Sequence, residues 1–135
     1  MNGTILDTSI VIAYEKGKLD LKAWLASQSP DSTHVIAAIT VSELLHGVER
    51  ADNTTRARLR KAWIDAFVAA ASVLDFDEDC ARVHATLWAG LEKAGHRIGA
   101  HDMLIAATAL RHDMRVATLN SKEFKRVPGL NILTP

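Results

Sequence analysis

Three carboxylates stand where an apolar run meets a helix: Asp7 after Thr4-Ile5-Leu6, Glu43 after His34-Val35-Ile36-Ala37-Ala38-Ile39, and Asp102 ahead of Met103-Leu104-Ile105-Ala106-Ala107-Thr108-Ala109-Leu110. An acid in that position has two readings. It can cap the helix or complement the positive end of its dipole, or it can ligate a metal at the rim of a core. Glu43 also follows Thr40 at the spacing of a capping box. Singly, each reads as a helix-terminal acid. Brought to one place, three carboxylates repel one another and their pKa values rise unless a cation sits among them. Oxygen-only ligands select a hard ion such as Mg²⁺ or Mn²⁺.

Which reading holds depends on the elements that carry the acids. Short apolar runs predict strands at about 4–6, 34–39, 72–76 and 115–118, with an edge strand at 131–133. Helices are expected at about 9–15, 19–27, 40–50 and 55–71, from Asp77 to about 94, and at 100–112. In the helix at 40–50, Val41, Leu44, Leu45 and Val48 form one apolar stripe, with Glu43 far round from it. Leu59, Trp63, Phe67 and Val68 supply the apolar members of the next helix, and Val83, Leu87, Trp88 and Leu91 are expected to face inward from the one after. From Met103 to Leu110 only Thr108 is polar, so that helix must be covered nearly all round. Ser29-Pro30-Asp31-Ser32 reads as a turn and 95–99 as a Gly-bounded loop.

The alternation of strands and helices predicts an α/β fold, with helices on both faces of a parallel sheet of about four to five strands. In such a sheet the loops after the strands form the binding edge. Asp7 ends the first strand, Glu43 opens the helix after the second, and Asn120 and Ser121 end the fourth. Asp102 needs one further step. Its helix ends about three residues before the fourth strand begins, so it must finish at that strand's N-terminal end and start at the opposite edge. Topology alone therefore brings Asp7, Glu43, Asp102 and Asn120 together.

The 135 residues suit one domain, 1–135, with a proper core. Sixteen basic and sixteen acidic side chains cancel, so bulk charge gives no hint of nucleic-acid binding. Cys80 is alone, which excludes a disulfide framework and a multi-cysteine zinc site and fits a reducing cytoplasm. No apolar stretch is long enough to span a membrane, and no signal peptide is visible.

Ile5-Leu6-Asp7-Thr8-Ser9, Val41-Ser42-Glu43-Leu44-Leu45-His46-Gly47, the run from Gly99 to Ala109, and Ala117-Thr118-Leu119-Asn120-Ser121-Lys122-Glu123-Phe124 resemble the four motifs of the PIN domain. In particular they are similar to VapC-type toxins of bacterial type II toxin–antitoxin systems, over essentially the whole chain. The resemblance implies a three-layer α/β/α sandwich and a Mg²⁺-dependent endoribonuclease, with Mn²⁺ able to substitute. It carries the catalytic role onto Asp7, Glu43 and Asp102, with the metal on Asp7 and Asp102 and Glu43 either joining them or orienting the water. Ser9 matches the small hydroxyl that supports the first acid. At the fourth position many members have Asp where this chain has Asn120. Glu123, three residues on, is then the candidate to supply the missing charge.

The resemblance also implies a VapB-like antitoxin and a homodimer. Arg97, Lys122 and Arg126 flank the acid edge and are candidates for RNA phosphate contact, whereas Arg56, Arg58, Arg60 and Lys61 read as a solvated helix face. His101 reads as a helix-entry residue, because neighbours on a helix do not face each other. Three rivals remain open. A haloacid-dehalogenase-type phosphatase needs a second Asp where Ser9 stands. A non-catalytic α/β module would use the acids as caps. A degenerate PIN domain would bind RNA or a partner without cutting.

Overall fold

The computed structural model describes residues 3–28 and 34–135. The elements run β1 (Thr4–Leu6), α1 (Thr8–Glu15), α2 (Leu21–Gln28), β2 (Val35–Ala37), α3 (Ala38–Glu49), α4 (Thr54–Ala70), β3 (Ser72–Leu74), α5 (Glu78–Ala94), α6 (Ala100–Arg111), β4 (Arg115–Ala117), α7 (Ser121–Phe124) and β5 (Ile132–Leu133). The turn expected at Ser29-Pro30-Asp31-Ser32 lies outside the described residues.

Five parallel strands are ordered β3-β2-β1-β4-β5. β1 is central, and Ile5 pairs with Val35 on one side and Val116 on the other. The pleat sends alternate residues to opposite faces. Ile5 and Val116 join a core with Leu87 and Leu91 of α5 and Met103 to Ala109 of α6. Leu6, Ile36 and Ala117 join a second core with Ile10, Val11, Leu21, Leu25, Leu44, Val48, Ile64 and Phe67 from α1 to α4. The result is a three-layer α/β/α sandwich. As expected, α6 is buried almost throughout, with Ile105, Ala106, Ala107 and Ala109 fully enclosed.

Several boundaries differ from those expected. β2 stops at Ala37 and α3 begins at Ala38, because Ala37 has extended backbone (φ −82°, ψ 153°) and turns the chain straight into the helix. Ile39 packs on the α5/α6 core from the first turn of that helix. β3 is an edge strand that ends at Leu74, with Phe76 largely exposed beyond it. α7 is a single turn that short-range periodicity could not signal.

Two apolar residues expected inside are not. Trp88 is 52% exposed and Leu59 69% exposed, because no described element packs over those faces of α5 and α4. Within the basic group on α4, Arg60 is not solvated. Its Nε lies 3.1 Å from Glu15 Oε2 on α1, and its guanidinium fills the space where a Cβ on Gly47 would stand.

Candidate active site

The site is built at the C-terminal edge of the sheet, where β1 and β4 lie side by side while their chains go on in opposite directions along the sheet. That is the switch point at which open α/β sheets place ligands. Pairing of Leu6 with Ala117 makes the next residues, Asp7 and Thr118, neighbours. The Asp7 N–H donates to the Ala117 carbonyl at 2.9 Å.

Asp7 is only 4% exposed, and each of its oxygens is satisfied. Oδ1 accepts from the Thr8 N–H at 2.7 Å, so Asp7 is the N-cap of α1. Oδ2 accepts from Ser9 Oγ at 2.8 Å and Thr118 Oγ1 at 2.7 Å. Thr118 in turn accepts from the Asn120 N–H at 2.8 Å, and Ser9 from the Leu119 N–H at 3.1 Å. The segment after β4 thus locks the first acid. Capping and a place in the site are not alternatives here, since one carboxylate does both.

Glu43 is not part of a capping box. The N-cap of α3 is Ala37, which makes no side-chain cap, and Thr40 lies inside the helix, fully buried. Glu43 Oε1 accepts from Thr8 Oγ1 at 2.7 Å, and Thr40 Oγ1 lies 3.1 Å from the same hydroxyl. Thr8 has one hydroxyl proton. Given to Glu43, it leaves the Thr8 oxygen to accept from Thr40. The other Glu43 oxygen, Oε2, lies 3.4 Å from His101 Nδ1. Thr8 therefore links the first two acids, by its N–H to Asp7 and its hydroxyl to Glu43.

Asp102 occupies the first turn of α6, half-buried. Burial, a hydrogen-bonding contact with Glu123 and the charges of Asp7, Glu123 and Glu43 push its carboxyl up to about 7. A Cβ on Gly99 would stand 3.9 Å from both Asp102 Oδ2 and Glu123 Oε2, so the two carboxylates face the same spot. Glu123 Oε1 also accepts from the Gly99 N–H at 3.3 Å. The structure therefore sets Glu123 beside Asp102, while Asn120 is exposed and contributes its backbone N–H.

Of the three basic candidates, Arg97 and Lys122 are exposed. Arg126 is half-buried, and its Nη1 donates to the Arg97 carbonyl, tying the loop before α6 to the chain after α7.

The chemistry of the donor set is carboxylate oxygen. Among the described residues no three acid, imidazole or thiol groups stand close enough together to enclose an ion unaided. The oxygen donors themselves are of the kind Mg²⁺ takes, one or two carboxylates beside several waters. A cation would also relieve the charge repulsion that adds to burial and the Glu123 contact in raising Asp102.

Sequence alone gives Thr40 and His101 only helix-entry roles, and gives Thr8 and Thr118 none in the site. Thr118 had a positional signal, since it follows its strand as Asp7 follows β1. His101 had none, because its partner Glu43 is 58 residues away.

The PIN domain family model matches residues 4–130. The chain is 40% identical over 132 residues to the ribonuclease VapC1 of Rickettsia felis, covering 98% of this chain and 96% of that protein. Among solved structures it is similar to DNA-bound VapBC from Salmonella typhimurium, with a TM-score of 0.88 and 28% identity over 99% of this chain and 98% of the other. It is also similar to VapBC2 from Rickettsia felis bound to a DNA fragment from the promoter, with a TM-score of 0.86 and 28% identity over 98% of each chain.

Proposed function

The chain belongs to the PIN domain family, and from its site we infer that it is the toxin ribonuclease of a toxin–antitoxin pair, a Mg²⁺-dependent endoribonuclease that hydrolyses RNA phosphodiester bonds. The observation that carries this reading is the gathering of Asp7, Glu43, Asp102 and Glu123 at one sheet edge with no Lys or Arg among their described partners.

Asp7 and Asp102 would hold the ion, with Glu43 and Glu123 completing the negative pocket and Mn²⁺ able to substitute. When bound, Mg²⁺ supplies Lewis acidity at the scissile phosphate and lowers the pKa of a nearby water. Asp7 is fixed in direction by Ser9, Thr118 and its own helix end. Glu43 orients the attacking water. Asp102 would hold the ion as a carboxylate, its proton released to solvent. Glu123 makes good the charge absent at Asn120. Arg97 and Lys122 meet flanking phosphates, and Arg126 holds the loop that presents Arg97.

The VapBC neighbours support a VapB-like antitoxin as partner, and the family supports a homodimer. Among the described residues no helix is long and apolar enough to cross a membrane. An RNA substrate and the lone Cys80 thiol suit a reducing cytoplasm.

The test is cleavage of total cellular RNA by purified, antitoxin-free protein with Mg²⁺ or Mn²⁺, beside Asp7→Ala and Asp102→Ala. Discrete cuts should appear with the wild type and vanish with EDTA and in both variants, a loss of at least a hundredfold. Cutting that survives EDTA sinks the metal mechanism. RNA binding without cutting by the wild type would mark the degenerate PIN reading instead.

A further inference from the structure

α5 leaves a large aromatic side chain in water beside the acid edge. Leu87 and Leu91 turn into the core, while Trp88, next to Leu87 in the chain, is 52% exposed. Asp79 at the start of α5 meets Arg111 at the end of α6, with 3.0 Å between Oδ2 and Nη2. The two helices are therefore antiparallel, and the C-terminal half of α5 stands beside the first turn of α6, which carries Asp102. A cleft of about 610 Å³ opens there, with Trp88, Glu92, Arg97 and Met103 among its walls. Met103 directly follows Asp102, so the cleft adjoins the proposed active site.

The loop at 95–99, which forms one wall, is tied at each step. Gly95 closes α5 in the left-handed conformation (φ 72°). The Gly95 and His96 N–H groups donate to the Glu92 and Leu91 carbonyls at 3.1 and 2.9 Å. The Arg97 carbonyl accepts from Arg126, and the Gly99 N–H donates to Glu123. A fixed backbone thus carries an exposed Arg97 into the cleft that Trp88 lines.

An indole and a guanidinium in one cleft match the two parts of a single nucleotide, a flat base and a phosphate. Glu92 repels phosphate, which leaves the Arg97 side for the backbone. A second copy of this chain docked on Trp88 would have to bury Arg97 and Glu92 as well, and burial of charged groups without partners is costly.

We propose that this cleft is a subsite for one unpaired nucleotide flanking the scissile phosphate, with its base stacked on Trp88 and its phosphate held by Arg97. The inference rests on the ribonuclease reading and adds to it a substrate class. The RNA must offer an unpaired base next to the cut, as in a loop or a single strand, because a base inside a duplex has both faces stacked already.

The test is equilibrium binding by fluorescence anisotropy in EDTA, so that no strand is cut. The probes are a short unstructured oligoribonucleotide and the same backbone made abasic throughout. The wild type should bind the abasic strand about tenfold more weakly, which is about 1.4 kcal/mol and within the range for one stacked base. Trp88→Ala should bind the intact strand about tenfold more weakly and the abasic strand as the wild type does, with an unchanged midpoint in urea. Trp88→Phe should keep most of the affinity, because any aromatic face stacks. RNA should quench tryptophan emission in the wild type but not in Trp88→Phe. Arg97→Ala should weaken both strands alike and lower the salt slope by roughly 0.7.

Undiminished affinity of Trp88→Ala for the intact strand would overturn the inference. So would quenching that survives in Trp88→Phe, or an equal loss on both strands in Trp88→Ala. Loss of self-association by Trp88→Ala in sedimentation, with RNA affinity unchanged, would assign Trp88 to a contact between copies instead. A wild type that cuts RNA with Mg²⁺ yet gives any of these results keeps the ribonuclease reading and loses only the subsite. One that shows the stacking but cuts nothing keeps the nucleotide subsite and loses the ribonuclease.

Discussion

Asp102 in the folded protein keeps its proton to about pH 7, against about 3.9 for an unfolded Asp. The protonated form favours folding, so its contribution is complete below about pH 4 and lost as pH rises to about 7. Metal-free protein should therefore lose thermal stability between about pH 4 and 7, and Asp102→Asn should flatten that slope. Mg²⁺ should raise Tm more at pH 8 than at pH 5.5, and equal shifts at the two values would argue against a cation at this carboxylate. Thr118 provides a second test. Thr118→Val removes one of two hydroxyl donors to Asp7 Oδ2, which should cost about 1–2 kcal/mol in denaturant unfolding and weaken Mg²⁺ binding by calorimetry. At this scale the acids were legible, because a carboxylate after a strand is visible in the chain. Their hydroxyl partners were not, since Thr118 reaches Asp7 across 111 positions.

Secondary structure was read well wherever packing follows periodicity. α6 has one polar residue between Met103 and Leu110, and that pattern demanded a covered helix whatever the topology. Ala107 is fully enclosed there, so Ala107→Leu should overpack the core and cost about 1–3 kcal/mol by urea unfolding. Trp88→Ser on α5 should change stability by no more than about 0.5 kcal/mol in the same measurement. A large loss would mean that Trp88 is covered by something other than this fold. Periodicity gave Trp88 and Leu59 an apolar face but could not say whether that face meets a neighbour. The helix start at Ala38 was missed for a related reason. Ala38 and Ile39 extend the apolar run of β2, and only φ and ψ at Ala37 separate strand from helix.

Across the whole molecule, connection length was the strongest sequence signal. The short link between α6 and β4 fixed the edge from which α6 must start, and so placed Asp102 beside Asp7 before strand order was known. The order β3-β2-β1-β4-β5 itself was not legible, because strands of three residues carry too few side chains to specify neighbours. Neutral net charge also has a consequence at this scale. With Arg97 and Lys122 as the groups that meet phosphates, log affinity for single-stranded RNA should fall against log salt with a slope of about −1.4, from roughly 0.7 per phosphate contact. A much steeper slope, measured by titrating binding from low to physiological salt, would require a basic surface elsewhere, such as Arg56 and Arg58 on α4.

The adjacency of β1 and β4 also bears on how the protein is made. Asp7 leaves the ribosome 111 residues ahead of Thr118, which locks it, and Glu123, which sits beside Asp102, follows later still. A nascent chain therefore holds only scattered acids until the segment after β4 is out, and a product cut short before β4 has no assembled site. The site therefore comes into being only once β4 has paired with β1, however early its first acid is made.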